Sequence, residues 1–264
     1  MNIKVLFIFV LTLGIIKCNE ISILNQTKFI VTKFYSLNGY NLTIKNTDSK
    51  LNAAVQQRLT EIYFDIYPRL INRFNTNAPR SIHVFIDGLN KYPYWGLAVD
   101  STIIINSYRL RNPTSFARYY DIFLHELAHL VQQYTTRNLA DVKWLGEGLA
   151  DYVRYRYGGS NIDADWSLPD YTNKQFYYDS YKVTARFLIW LENKYNSSVI
   201  EQLDKGLRDV TYKQNTTWNE LTGQSIEKLW LDYSRNSDLI ANIPFIQVTK
   251  TFENDNITDD DPVN

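Results

Sequence analysis

The chain of 264 residues contains one cysteine and one methionine. A single cysteine cannot close an internal disulfide, so a disulfide-stapled scaffold is excluded. Both sulfur residues, Met1 and Cys18, fall in the first eighteen positions. Neither sign of charge is in excess, with 28 Lys+Arg against 28 Asp+Glu. That argues against a nucleic-acid binder relying on a broad basic field. Beyond residue 18 no apolar run approaches the roughly 18 residues that a membrane-spanning helix needs. Histidine is scarce, with only three in the chain. What is abundant is aromatic: 20 Tyr, 13 Phe and 6 Trp make up 15% of the residues. With 45% hydrophobic and 21% charged residues, the composition is that of a folded globular domain with a sizeable core.

The beginning and end of the chain differ from the body between them. Met1 to Lys4 is a short basic start, and Val5 to Ile16 is an apolar run of 12 residues. This length suits the core of a secretory signal and is short for a membrane span. Residues 1–18 are therefore expected to be a signal peptide, and the remainder to be secreted and free of the membrane. Five Asn-x-Ser/Thr sequons, at Asn25, Asn41, Asn196, Asn215 and Asn256, are glycosylation candidates consistent with that route. The last stretch, 253–264, carries Glu253, Asp255, Asp259, Asp260 and Asp261 with little apolar content. It is expected to be an acidic, disordered tail. The single domain is placed at 19–252.

Residues 27–45 alternate in β fashion around an Asn38-Gly39 turn signal. Leu51 to Phe74 has helical apolar spacing, with Asp48 or Ser49 as possible cap and Pro68 as possible kink. Ile82–Ile86 and Leu97–Asn106 read as two strands. Helices are expected at 115–135, 142–157, 177–195, 198–208 and 224–236, with a helical turn at 218–223. Gly158-Gly159 should stop the second of these.

The strongest chemical signal is His125-Glu126-Leu127-Ala128-His129, which takes two of the three histidines. On a helix, residues four apart share a face, so both imidazoles can bind one Zn²⁺. Glu126 then sits beside the metal, placed to take a proton from water as general base. The remaining histidine, His83, lies on an expected strand and reads as structural. Eighteen positions after His129 comes Glu147, with Asp151 four further on, in Trp144-Leu-Gly-Glu-Gly-Leu-Ala-Asp151. This spacing resembles the thermolysin-like zinc peptidases, the gluzincins. The resemblance implies Glu147 as third ligand and Asp151 as acceptor of a hydrogen bond from His125. The reverse assignment, Asp151 on the metal and Glu147 in support, stays open. Gly146 and Gly148 are expected to let the two helices approach closely.

A closer resemblance lies in Tyr177-Tyr-Asp-Ser-Tyr-Lys-Val-Thr-Ala-Arg-Phe-Leu188, in Glu147-Gly-Leu-Ala-Asp-Tyr-Val-Arg154 and in Trp230-Leu-Asp-Tyr233. These segments are similar to the basic secretory protein family, secreted zinc peptidases of gluzincin type known best from plants. The resemblance covers roughly 27–236. It implies an α+β, zincin-like metalloprotease fold, with a small N-terminal mixed β-sheet and a mainly helical C-terminal lobe. It implies one zinc on His125, His129 and Glu147, Glu126 as base, and a peptide or protein substrate. It also makes Asp179 and Tyr181 cleft residues.

Tyr181 is the first candidate for oxyanion donor and Tyr178 the second, read as one helical turn apart. Arg186 is expected in a structural ion pair. The strand before the metal helix should offer Gly96 to Asp100 to a peptide backbone. Trp95, Trp144 and Trp166 are weighed as pocket walls, against a role in the core. A rival from another class is a secreted defence or binding protein that keeps the zinc for stability alone.

Overall fold

The computed structural model describes residues 28–110, 116–135, 141–158 and 165–240. The expected signal segment, the acidic tail, Asn25 and Asn256 lie outside the described residues. Five strands form one mixed sheet: β1 (Val31–Leu37), β2 (Tyr40–Asn46), β3 (Ser81–Ile86), β4 (Gly96–Val99) and β5 (Thr102–Ile105), in the order β1-β2-β3-β5-β4. The two outer pairs are antiparallel, and β3 runs parallel to both β2 and β5. Asn38 and Gly39 both have positive φ (52° and 80°), the backbone of the tight hairpin turn that Asn-Gly favours.

The helix α1 (Ala53–Phe74) crosses between β2 and β3 and runs unbroken through Pro68. Its cap is Asn52, whose side chain accepts from the Ala54 N–H at 2.9 Å. Asp48 is drawn instead into a buried bond from the Ser107 hydroxyl (2.7 Å) and caps the Lys50 N–H. Tyr63 and Tyr67 on α1 are fully buried, yet each hydroxyl finds a carbonyl, Arg80 O at 2.7 Å and Pro79 O at 2.9 Å.

The expected single strand over 97–106 is two strands. Asp100 turns with φ 53°, and β4 doubles back on β5. Ile103 and Ile105 face the main core, while Ile104 faces a small cluster with Phe85 and Tyr92 on the other side of the sheet. Burial on both faces explains the unbroken apolar Ile103-Ile104-Ile105 of β5.

Among the described residues six more α-helices follow: α2 (Phe116–Gln132), α3 (Lys143–Gly158), α4 (Tyr181–Lys194), α5 (Ser197–Arg208), α6 (Thr217–Thr222) and α7 (Ile226–Arg235). α2 ends where Gln133 takes a left-handed turn (φ 48°). α4 starts four residues later than the pattern suggests, so Tyr178 precedes the helix that Tyr181 begins. The helical lobe is held by rings. Phe187 lies 5.3 Å from Trp230 and 5.6 Å from Tyr233, and Trp144 stacks on Trp218 at 6.5 Å. A fully buried side chain such as Phe187 contributes roughly 1.5–3 kcal/mol of transfer free energy, the kind of stabilisation a chain without disulfides must accumulate. The buried guanidinium of Arg186 ties α4 to the Tyr233 hydroxyl (3.0 Å), Pro169 O (3.0 Å) and Ser237 O (3.1 Å), with Asp170 at 3.5 Å. No helix of the described residues is long and apolar enough to cross a membrane.

Candidate metal centre

The helical spacing of α2 brings His125 and His129 onto one face, with ring centroids 4.7 Å apart. Their Nε2 atoms are 3.1 Å apart. From α3, one turn past its start, Glu147 extends Oε2 to 3.3 Å from His125 Nε2 and 3.4 Å from His129 Nε2. Zinc bound to nitrogen and oxygen at about 2.0–2.1 Å holds tetrahedral neighbours about 3.3–3.4 Å from one another. The three separations sit close to that edge length, so the donor set fits one tetrahedral ion with its fourth position free.

The hydrogen bonds around the imidazoles sharpen the fit. His125 Nδ1 donates to Asp151 Oδ1 at 2.8 Å, which fixes a proton on Nδ1 and aims Nε2 at the point of convergence. His129 Nδ1 lies 2.7 Å from Gln132 Oε1, and Gln132 Nε2 donates to Gly146 O at 3.0 Å. A carbonyl only accepts, so the Gln132 amide must turn its NH₂ to Gly146 and its oxygen to His129. His129 therefore also carries its proton on Nδ1. Two imidazole Nε2 atoms and a carboxylate oxygen converge, a donor set that a shared proton or a metal ion can hold together.

Protonation follows the same demand. Burial works against a charged His125, but the bonds to Asp151 and Glu147 outweigh it and raise its pKa to about 10. Burial likewise pushes Glu147 up, and the bonds from the two histidines overcome this, holding its carboxyl well below the usual range. Glu126 moves the other way. Its buried carboxyl is raised above the ordinary value by desolvation, against the pull of the two histidines. Asp121, also buried, accepts from Arg154 Nη2 at 3.0 Å, and Arg154 Nη1 reaches Asp151 at 3.7 Å while its guanidinium rests on the Trp166 ring. Glu147 lies at the point of convergence, Asp151 supports His125, and Arg154 links Asp151 to Asp121.

Glu126 faces the sheet. The backbone N–H of Ala98, on the outer strand β4, favours its charged form. A Cβ at Gly96 would fall 2.6 Å from Glu126 Oε1 and 2.5 Å from Ile122, so only glycine lets the strand lie against this carboxylate. Among the described residues β4 is the outermost strand of the sheet at this side.

Tyr181 lies over His125, ring centroids 6.1 Å apart and 20° from parallel, and hydrogen bonds Glu147. Its pKa is pushed up to about 12 by burial and by the Glu147, Asp151 and Glu126 carboxylates, so at neutral pH it is a donor. Ser180 and Tyr181 are consecutive non-glycine residues with positive φ (70° and 45°). Such conformations cost about 1–3 kcal/mol each and persist where surrounding contacts impose them. Here the anchor is Thr184, whose hydroxyl donates to Tyr177 O at 2.7 Å.

Several expected residues are placed elsewhere. Tyr178 stacks on Phe176 at 5.3 Å, half exposed, and the Asp179 carboxylate caps the Phe176 N–H at 2.9 Å. Their contacts are within the turn before α4. Trp144 belongs to the ring cluster of the helical lobe, and Trp166 is buried under Arg154. Trp95 alone of the three is well exposed, beside Gly96. His83 is on the outer face of β3. Gly148 approaches α4, where its hydrogen side meets Thr184, and the expected contact with α2 is made instead by Gly146 O through Gln132. Asn41 is bonded within the sheet to Ser81 and Ser36, Asn196 caps α5, and Asn215 is exposed. Gln132 and the Ala98 N–H were not foreseen. The i+3 spacing from His129 could have flagged Gln132, whereas a backbone N–H leaves no trace in a sequence.

Fold and cluster together define an α+β protein with a histidine–histidine–carboxylate donor set between two helices. The family is shown by a match over residues 33–233 to the family model described as a peptidase of plants and bacteria. The chain belongs to this basic secretory protein (BSP) family. No curated protein sequence matches it. Among solved structures, it is similar to a point mutant of an M1 zinc metallopeptidase from Deinococcus radiodurans bound to a Tyr-Ser-Ala substrate, with 16% identity and TM-score 0.46 over 83% of this chain and 52% of that one. A two-domain M1 zinc metallopeptidase mutant bound to L-tryptophan gives 16% identity and TM-score 0.48, over 77% and 51%. The M1 zinc metallopeptidase from Deinococcus radiodurans gives 17% and 0.46, over 77% and 50%. The chain spans about half the length of each of these proteins.

Proposed function

We propose that this chain is a secreted zinc-dependent peptidase of zincin-like fold. The observation that carries the reading is the convergence of His125, His129 and Glu147 at tetrahedral spacing, with Glu126 held beside them on the sheet edge. His125, His129 and Glu147 would hold the ion, and Asp151 would orient His125. Bound zinc supplies Lewis acidity, lowering the pKa of water and polarising a carbonyl. Glu126 Oε takes the proton from water and passes it to the leaving amine. Its raised pKa, a consequence of burial, suits a group that must both accept and release a proton. The Tyr181 hydroxyl is a donor over His125, placed to share its hydrogen with a developing oxyanion. The outer edge of β4 offers backbone groups to a peptide. Gly96 keeps that edge close to the base.

The test is a peptide-library cleavage profile of the wild type beside Glu126→Gln, with metal content measured on both. Cleavage should fall by about 100- to 10,000-fold in the variant, with zinc and fold retained. A folded native protein without affinity for zinc would overturn the reading. Full zinc occupancy without cleavage of any library peptide would favour a binding protein with a stabilising metal. Secretion is tested separately, by fusing residues 1–18 to a reporter.

A further inference from the structure

We propose that Gln132 is a positioning residue that sets the second histidine and the third ligand as one unit. The proposal rests on the zinc reading above. Gln132 occupies the last turn of α2 and is 4% exposed. It lies three positions after His129, on the same helical face. Its side chain is used at both ends: Oε1 accepts from His129 Nδ1 at 2.7 Å, and Nε2 donates to Gly146 O at 3.0 Å. Gly146 is the residue before Glu147. One amide therefore spans from the ring of one candidate ligand to the backbone next to another.

Two consequences follow from this geometry. The bond to Nδ1 fixes the tautomer of His129, so its Nε2 lone pair faces Glu147 Oε2 at 3.4 Å. The bond to Gly146 O fixes the amide itself, because a flipped Gln132 would set two oxygens against each other. It also satisfies a carbonyl in the first turn of α3 and ties that turn to α2. His125 is held differently, by the Asp151 carboxylate from the third turn of α3. The two histidines thus have unlike supports, one ionic and one neutral. A neutral amide avoids adding a fifth carboxylate to a region that already holds Glu126, Glu147, Asp151 and Asp121.

The experiment compares wild type with Gln132→Met and Gln132→Glu, using zinc alone against a competing chelator. The melting temperature of each metal-free protein is recorded alongside. Gln132→Met matches the shape and lacks both bonds, and it should bind zinc about 10- to 100-fold more weakly. Gln132→Glu restores an oxygen for His129 but sets a second oxygen against Gly146 O, so it should recover only part of that loss. A second readout is the Nδ1–H proton of His129 in zinc-loaded protein, readily assigned in a chain with three histidines. It should be visible in wild type and Gln132→Glu and lost to exchange in Gln132→Met. If wild type fails to bind zinc, the zinc reading itself falls. Tight binding by wild type and equally tight binding by Gln132→Met overturns the positioning role alone. Should Gln132→Met fail to fold, Gln132→Glu decides, and an unprotected Nδ1–H in that folded variant overturns the proposal.

Discussion

Gly148→Ala would add one methyl group at the seam between the helix that carries Glu147 and the helix that begins with Tyr181. The new Cβ would lie 2.2 Å from Thr184 Cγ2 and 2.6 Å from Thr184 Cβ. Relaxed carbon–carbon contacts are about 3.5–4.0 Å. Rotating Thr184 moves Cγ2 but leaves Cβ in place, and it would break the hydroxyl bond to Tyr177 O. The backbones must therefore separate by about 1 Å or more to restore ordinary contact. Overpacking of this kind costs about 1–3 kcal/mol. We expect the upper part of that range, because Thr184 is fully buried. In a chain of this size the melting temperature should fall by about 4–12 °C, read by calorimetry on metal-free protein. Because α4 begins at Tyr181, the same displacement should lower kcat/KM more than the fold loss alone. Thr184→Ser removes Cγ2 but keeps the hydroxyl, so the double variant should regain about 1 kcal/mol relative to the sum of the single changes. An unchanged melting temperature in Gly148→Ala, or strict additivity in the double variant, would refute the close-approach argument.

Other perturbations have equally definite outcomes. Asp151→Asn keeps an acceptor for His125 Nδ1 but loses the charge, and zinc affinity measured by chelator competition should drop by about tenfold. Arg73 bonds Glu201 (3.0 Å), the Tyr152 hydroxyl (2.8 Å) and Glu192 (3.2 Å), joining α1 to α3, α4 and α5. Arg73→Met should destabilise the protein by about 1–3 kcal/mol in a urea titration, the cost of hydrogen bonds to charged groups, because Glu192 retains Arg156 as a partner. In metal-free protein, His125 is raised from 6.5 to about 10, so its contribution to stability is complete below pH 6.5 and is lost as pH rises through about 10. Melting temperature should decline over that window without metal, and zinc should flatten the decline by taking the proton's place.

Short-range signals along the chain determine much of this molecule independently of its tertiary contacts. The Asn38-Gly39 turn, the helix of α1 and the helical face bearing His125 and His129 are consequences of short-range backbone preference and periodicity. The Glu147 and Asp151 spacing set both carboxylates on one face of α3 by the same geometry. Tertiary structure decided what those faces meet. Asp48 could have capped α1 by sequence, but a buried partner in Ser107 drew it away and left Asn52 to do so. The expected strand over 97–106 is divided into β4 and β5 at Asp100-Ser101, a polar pair at which Asp100 takes a left-handed turn. Gly148 was read as facing α2, yet it is α4 that comes within 2.2 Å of its would-be methyl. Gln132 and the Ala98 N–H entered the site through partners far away in the chain. The donor types and their spacing belong to the sequence. Their convergence within 3.1–3.4 Å comes from packing α2 against α3 and the sheet edge.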